Sequence, residues 1–594
     1  MIHLSIGLLS VLAFVAAAGW SSEMVLVEAE SFQERGGWVV DQQFMDQMGS
    51  PYLLAHGMGV PVADAAATSA VPADGSYQVF VRTKDWVAPH GPGKFQVLLN
   101  GQPLQAVFGT QGDGKWIWQD GGSVELKAGP LKLTLKDLTG FEGRCDAILL
   151  VKGGGLKPPD DLKELAAFRH KALGLPEQPK TAGVFDLVVV GGGVSGTCAA
   201  LAAAQQGLKV ALIQDRPVLG GNNSSEVRVK REGRGDQPFP HNWDNLKQLG
   251  GEGMGNGGPP QSYGDEQKLR AVQAEKNIAL FLNTHAIAAE KAGDRIAAVV
   301  GKNILSSEEL RLQAPLFADC TGDGTAGFLA GADFHQGRES KKETDEALAP
   351  AEPDKQTMGA TNMWYAQDSG APLSFPECPW AHKVTKGEAT RANWNWESGF
   401  DLDQIADAER VRDNNFRAAY GTWDFTKNRS PRRGEFTNFK LAWVAYVAGK
   451  RESRRLLGDV ILTQQDVQSQ RTFPDACFVT TWSIDLHYPT ADQKKEFPGH
   501  EFRSEAKFNK ITPYAVPFRC LYSRNVPNLL MAGRCISVTH VALGTVRVMN
   551  TCGMMGTVVG RAASLCKNYN VAPRELYAQH LDVLKQLLAE PAKR

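Results

Sequence analysis

The 594-residue sequence predicts a multidomain protein: an N-terminal all-β sandwich, then an α/β domain built on a parallel, doubly wound sheet, with an α+β domain inserted into it. Three observations predict this. Between Val25 and Lys152, short alternating runs such as Ser76–Arg82, Lys94–Leu99 and Leu131–Leu135 are separated by Gly, Pro, Asn and Asp, with an Asn100-Gly101 hairpin turn. From Phe185 the pattern changes to a nearly unbroken apolar run, a glycine turn, an Ala-rich helix and a second buried run, Val210–Ile213, which is βαβ spacing. The same pattern returns after 525, with Leu529-Leu530-Met531-Ala532 and a long small-residue helix beginning near Leu543. The region between is more polar and holds seven of the 13 tryptophans, Trp364 to Trp482, so it reads as an insertion.

The boundaries that follow are a sandwich at 24–153, a linker with one helix at 154–183 and the α/β domain at 184–334 and 521–570. The insertion spans 335–520, and a C-terminal helix spans 571–594. Composition is that of an ordinary globular protein. With 64 basic against 65 acidic residues, no global field points to nucleic acid or an anionic membrane as partner. Nine scattered cysteines without a CxxC pair indicate neither a zinc site nor a disulfide framework. Leu4–Ala18 is apolar but short for a bilayer and ends in Ala16-Ala17-Ala18, so residues 1–18 read as a signal peptide, though no Lys or Arg precedes the run. The expected product is periplasmic or secreted, with no integral membrane segment after cleavage.

Gly191-Gly192-Gly193-Val194-Ser195-Gly196 follows a strand and opens a helix. Gly191 makes the tight turn, Gly193 lets backbone approach a pyrophosphate, and Gly196 lets helix pack on strand, with Ser195 at the helix start. This is a Rossmann-like dinucleotide fingerprint. At the end of the second strand, where an acid usually holds the adenosine ribose, the sequence reads Gln214-Asp215, and either residue is a candidate.

Phe185 to Gly221 resembles the FAD-binding start of glutathione-reductase-like flavoproteins, including fumarate-reductase flavoprotein types. Three further segments, in family order, carry the resemblance. Gly220-Gly221-Asn222 continues toward the pyrophosphate, Thr321-Gly322-Asp323-Gly324 resembles the second cofactor motif, and Gly533-Arg534 with the stretch to Gly556 resembles the C-terminal FAD motif. The closest likeness is to bacterial FAD-dependent oxidoreductases over about 184–570, and it implies FAD as cofactor. Gln214 is the visible departure.

In the last motif, Gly544 and Thr545 are expected at a helix start, their N–H groups and Arg547 stabilising negative charge on a reduced flavin. His540 is a candidate proton acceptor. The charge run Lys450–Arg455 reads as a solvated helix face, from which Arg451 is a candidate for gripping an acidic substrate; Asp485 and His487 are further pocket candidates.

Val27–Glu30 and Cys145–Ile148 resemble segments of β-sandwich carbohydrate-binding modules, which implies a structural calcium on Glu28, Glu30 and Asp146. Trp38, Trp86, Trp116 and Trp118 are candidates for a sugar-stacking platform. The leading expectation is an exported FAD-dependent oxidoreductase that oxidises a carbohydrate hydroxyl and passes electrons to an acceptor the sequence leaves open. The alternatives are a reductase of unsaturated acids using Arg451 or Arg455, and a polysaccharide-binding protein with a structural FAD. Gly250–Gly258, six glycines in nine residues, is expected to be a mobile loop.

Overall fold

The computed structural model describes residues 24–235, 238–252 and 255–592; the expected signal peptide lies outside them. In the N-terminal region, Met24–Glu28 and Tyr52–Ala55 pair with Gly143–Lys152, which also pairs with Gly75–Thr83; Val39–Asp41 and Ile117–Leu126 complete this antiparallel sheet. A second antiparallel sheet runs Ala65–Val71, Gly129–Asp137, Phe95–Leu99 and Gln102–Pro103. Residues Phe95, Val97 and Leu99 of one strand are buried while Gln96 and Leu98 are not, the period-2 signature of a half-buried strand. They meet Trp38, Tyr77, Phe108 and Ile148 in a core between the two sheets.

Gly143–Lys152 is buried on both faces because the linker helix, Leu162–Ala172, lies across the outer one. Asp161 caps that helix by accepting from the N–H groups of Lys163 and Glu164. The linker is not loose beyond it. Lys180–Val184 is a strand, paired in parallel with Glu309–Gln313.

The α/β domain holds a five-stranded parallel sheet in the order Ile278–Phe281, Val210–Ile213, Leu187–Val190, Leu316–Asp319, Leu529–Met531. Its last strand therefore arrives after the inserted region. The long helix, Met549–Tyr569, crosses the dinucleotide helix, Val194–Gln205, at glycines: a Cβ on Gly556 would lie 2.0 Å from Ser195 O, and one on Gly560 would lie 2.4 Å from Ala199 O. Small residues there let two backbones nearly touch. Among the described residues, no helix is long and apolar enough to cross a membrane.

The inserted region builds short sheets around a 17-residue helix, Ala408–Asp424, and its aromatic core takes in Trp86 and Phe141 of the sandwich. Charged groups seal this junction. Arg144 forks onto Glu409 and Asp413, both at 2.6 Å; Lys84 Nζ reaches Glu409 at 2.8 Å; and Arg412 reaches Asp41 at 2.6 Å. Burial pushes the Glu409 carboxyl up, but Lys84, Arg144 and Arg412 override it and hold it at about 2. A depressed carboxyl stabilises the fold above its ordinary value near 4.5 and stops doing so as pH falls through about 2. Urea midpoints should accordingly decline across that window, and Glu409→Gln should flatten the decline.

The Lys450–Arg455 run is neither helical nor a solvated face. Its first residues are irregular, Arg455 enters a two-residue strand, and Glu452, Ser453 and Arg455 are fully buried.

Candidate cofactor and active site

The parallel strands end at a cleft, the place where open α/β sheets bind ligands. Gly191, Gly193, Ser195, Gln214, Asp215, Gly220, Gly221 and Asn222 line it from one side; Gly322, Asp323, Gly533, Arg534 and Arg547 line it from the other. The glycine turn has the geometry its spacing implies. Gly191 sits at φ +101°, where a Cβ would lie 2.5 Å from Cys320 O, and a Cβ on Gly196 would strike Gly191 O. Gly196 thus serves packing and does not line the cleft. A Cβ on Gly193 would meet nothing nearer than 3.9 Å, so backbone there stands open to a ligand.

Charge at the cleft suits an anionic dinucleotide. Burial pushes the Asp323 carboxyl up, but Lys450 at 2.7 Å and Arg534 at 3.2 Å hold it well below the usual carboxylate range. Arg534 Nη1 and Arg547 Nε are buried without an acceptor from the protein. Donors left unpaired beside open backbone fit a cofactor that carries phosphates and a polar ring.

Two expectations for the C-terminal motif change. Gly544 and Thr545 do not stand at a helix start; they close a short helix, His540–Val546, capped at its own start by Thr539. Thr545 Oγ1 is spent on Trp482 O, and neither residue lines the cleft. The helix start that does line it is Met549, after a break at Arg547-Val548.

Behind Arg547 lies a chain of ion pairs. Arg547 Nη2 is 2.9 Å from Asp485 Oδ2, Asp485 Oδ1 is 3.1 Å from His487 Nε2, and His487 Nδ1 meets Glu397. Burial pushes the Asp485 carboxyl up, but His487 and Arg547 hold it down at about 2. Arg451 stands 3.5 Å from Glu397 and donates to the carbonyls of Gly359 and Trp394 and to Thr361 Oγ1. Arg455 donates to Val538 O, Gly337 O, Glu339 and Glu452. Neither arginine is placed to grip a substrate carboxylate. Trp394, 38% exposed, packs against His487 with ring centroids 5.3 Å apart, and Phe508, 53% exposed, stands beside it.

His540 is only 2% exposed and outside the cleft wall. Its Nδ1 meets Glu452 at 2.9 Å and its Nε2 has no partner. At ~1.5 Å rise per residue, it lies roughly 10 Å along its helix from Arg547. Sequence reading missed Glu452, Glu397, Lys450 and His285. Lys450 and Glu452 were in view within the charge run, but nothing local told burial from solvation.

In the sandwich, Glu28, Glu30 and Asp146 offer carboxylate oxygens within 4.8 Å of one another. Both oxygens of Glu28 and of Glu30 are buried without hydrogen-bond partners, and burial pushes the Glu30 carboxyl well up. Asp146 is shared with Arg82 at 2.7 Å and Arg169 at 2.5 Å. Arg169 Nε also lies 3.5 Å from Glu28 Oε1, and the donor set fits a hard cation with Glu30 free for it. The tryptophan platform is absent. Trp38 is core, Trp86 lies in the junction with the insertion, Trp116 packs on Tyr52, and Trp118 lies with the linker helix's Leu165. Residues 253 and 254 of the glycine-rich loop lie outside the described residues; on either side of them Asn223 Nδ2 donates to Gly251 O, Gly257 N to Arg228 O and Gly258 N to Tyr263 Oη.

Residues 186–588 match the family described as FAD dependent oxidoreductase. No curated protein matches the chain. Among solved structures it is similar to a geranylgeranyl bacteriochlorophyll reductase-like protein from Thermoplasma acidophilum: 13% identity, 69% of this chain and 84% of that chain covered, TM-score 0.32. It is also similar to a myxobacterial chondrochloren halogenase, an FAD-dependent halogenase (13%, 68% and 78%, TM-score 0.30). A family 35 carbohydrate binding module from Clostridium thermocellum is similar over 22% of this chain and 98% of that one, at 14% identity and TM-score 0.18. At such scores none of these likenesses bears on activity.

Proposed function

The chain belongs to the FAD dependent oxidoreductase family, and from that premise we propose that it dehydrogenates a hydroxyl group of a carbohydrate-like substrate. The observation that carries this reading is the ion-pair chain running inward from cleft-lining Arg547 through Asp485 to His487 and Glu397. FAD, when bound, supplies the hydride acceptor. Arg547 orients the substrate oxygen, and His487, neutral before the reaction with its Nδ1–H donated to Glu397, takes the hydroxyl proton at Nε2 by way of Asp485. Glu397 and Asp485 neutralise the positive charge His487 then carries. Exposed Trp394 and Phe508 offer aromatic faces suited to the apolar face of a sugar, a role the sandwich tryptophans cannot fill.

Anaerobic mixing of the holoenzyme with sugars and polyols should bleach the visible flavin absorbance without nicotinamide. His487→Asn should slow that bleaching by about 100-fold or more while leaving the flavin bound, because losing a proton acceptor typically costs 10²–10⁴. His540→Asn should change it little. If His540→Asn is the crippled variant, the base is His540 with Glu452 as its orienting partner, and the proposed chain is wrong. Bleaching by no hydroxylic compound would remove the substrate class.

Two further parts of the proposal have their own supports. Calcium on Glu28, Glu30 and Asp146 rests on the unpartnered carboxylate oxygens. Calcium should raise the Tm of chelator-treated protein by several degrees, and Glu30→Gln should abolish the rise; equal Tm with and without calcium would refute the site. Export rests on Leu4–Ala18, and protein recovered from an exporting host should begin beyond Ala18.

A further inference from the structure

At the adenosine end of the cleft, the position after the second strand where an acid is usual holds an amide. Gln214 stands there, and its amide is committed at both ends: Oε1 accepts from Gly192 N at 2.8 Å, and Nε2 donates to Val218 O at 3.0 Å. It staples the glycine turn to the loop that follows it. Asp215, the next residue, also lines the cleft, but its carboxylate is 45% exposed and lies 3.9 Å from Arg216 Nε.

The opposite wall comes from another domain. Gln43 and Asp46, beside and within the short helix Met45–Met48 of the sandwich, line the same cleft. Gln43 fastens that wall, accepting from Ala448 N at 2.8 Å and donating to Tyr446 O at 2.9 Å and to Asp41 Oδ1 at 2.8 Å. Lys302 Nζ fastens the other side by donating to Gly49 O at 3.0 Å. Between the two fastenings, Asp46 Oδ1 lies 3.0 Å from His285 Nε2. His285 is itself in the cleft wall, just past the strand Ile278–Phe281 that flanks Gln214's strand. Asp46 remains 44% exposed, and no protein hydrogen bond engages its Oδ2 among the described residues.

We infer that Asp46 supplies, from the sandwich domain, the carboxylate that accepts from the adenosine ribose hydroxyls of bound FAD, with His285 holding it in place. The sandwich is then a working wall of the cofactor site. A carboxylate accepting from hydroxyls is what dinucleotide sites normally place at the end of the second strand, and here a second domain brings it. The reading depends on FAD binding alone and stands whatever the substrate proves to be.

The test separates the two halves of the cofactor. Flavin release from holoenzyme on dilution is followed by fluorescence, and deflavinated protein is titrated with FAD, ADP and FMN. Asp46→Ala should weaken FAD and ADP about tenfold and leave FMN, which has no adenosine, unchanged. Asp46→Asn, of the same shape, should shift FAD in the same direction, with unchanged Tm of the deflavinated protein in both variants. Asp215→Ala should have the smaller effect. Unchanged FAD affinity in Asp46→Ala, equal losses of FMN and FAD, or a larger loss in Asp215→Ala would each overturn the assignment.

Discussion

Arg144→Met should destabilise the protein by about 3–5 kcal/mol, because removing one partner of a buried ion network leaves uncompensated charge in low dielectric. Arg144 is fully buried, pairs with Asp413 and Glu409, and lies 5.2 Å over the Trp86 ring, so the sandwich and the insertion both lose an anchor. The check is urea unfolding followed by two probes, tryptophan fluorescence and flavin release. Both should move together, since the sandwich that Arg144 anchors also walls the cleft through Gln43 and Asp46. A loss below about 1 kcal/mol would mean the junction behaves like an exposed ion pair.

Gly556→Leu should yield protein that is isolated without bound flavin, with at least ~3 kcal/mol lost from any folded fraction. The neighbour that a Cβ would strike, Ser195 O, is backbone, so no rotamer change relieves the contact. Either the long helix backs away from the dinucleotide helix or the glycine turn at its start is displaced, and both spoil the phosphate end of the cleft. Gly434→Ala is the control: an added Cβ there meets nothing within 4 Å, and stability should change by no more than about 0.5 kcal/mol. Flavin retained at wild-type stoichiometry in Gly556→Leu would show that the crossing tolerates separation.

What could be read from the chain alone was local. The strand, glycine turn and helix from Phe185 to Gln206 announce themselves because turn chemistry and burial pattern agree within twenty-odd residues. The approach of Glu28 and Glu30 to Asp146 followed from a resemblance: Glu28 ends a strand paired with the one that carries Asp146, facing Ala147, and Glu30 lies in the helical turn just after it. What failed was everything decided by docking. Trp86 looks like any half-exposed sandwich aromatic until Trp380 and Phe416 cover it. The Lys450–Arg455 run looks solvated because charge usually is, yet its residues pair with Asp323, Glu397 and Glu339 from distant segments. Glycines mislead for a related reason. Gly553, Gly556 and Gly560 mark close helix packing, while Gly191, Gly193, Gly220 and Gly221 mark the cleft, and composition cannot separate the two uses. Gly544 and Thr545 were displaced by one hidden event, the break at Val548 that splits an apparently continuous helix in two.

The position of the strand Leu529–Met531 sets a clock on synthesis. Its sheet neighbour ends at Asp319, and the residues between include the whole inserted region. At ~5–20 residues per second, a ribosome needs roughly 10–40 seconds to deliver the edge that completes the sheet. Over that interval the nascent chain holds the first glycine turn but not Gly533, Arg534 or the helix start at Met549, so it has half a grip on flavin. Flavin capture is therefore a late event in the life of each molecule, and a flavin-starved cell should accumulate full-length apoprotein, with no stalled fragment already carrying the cofactor.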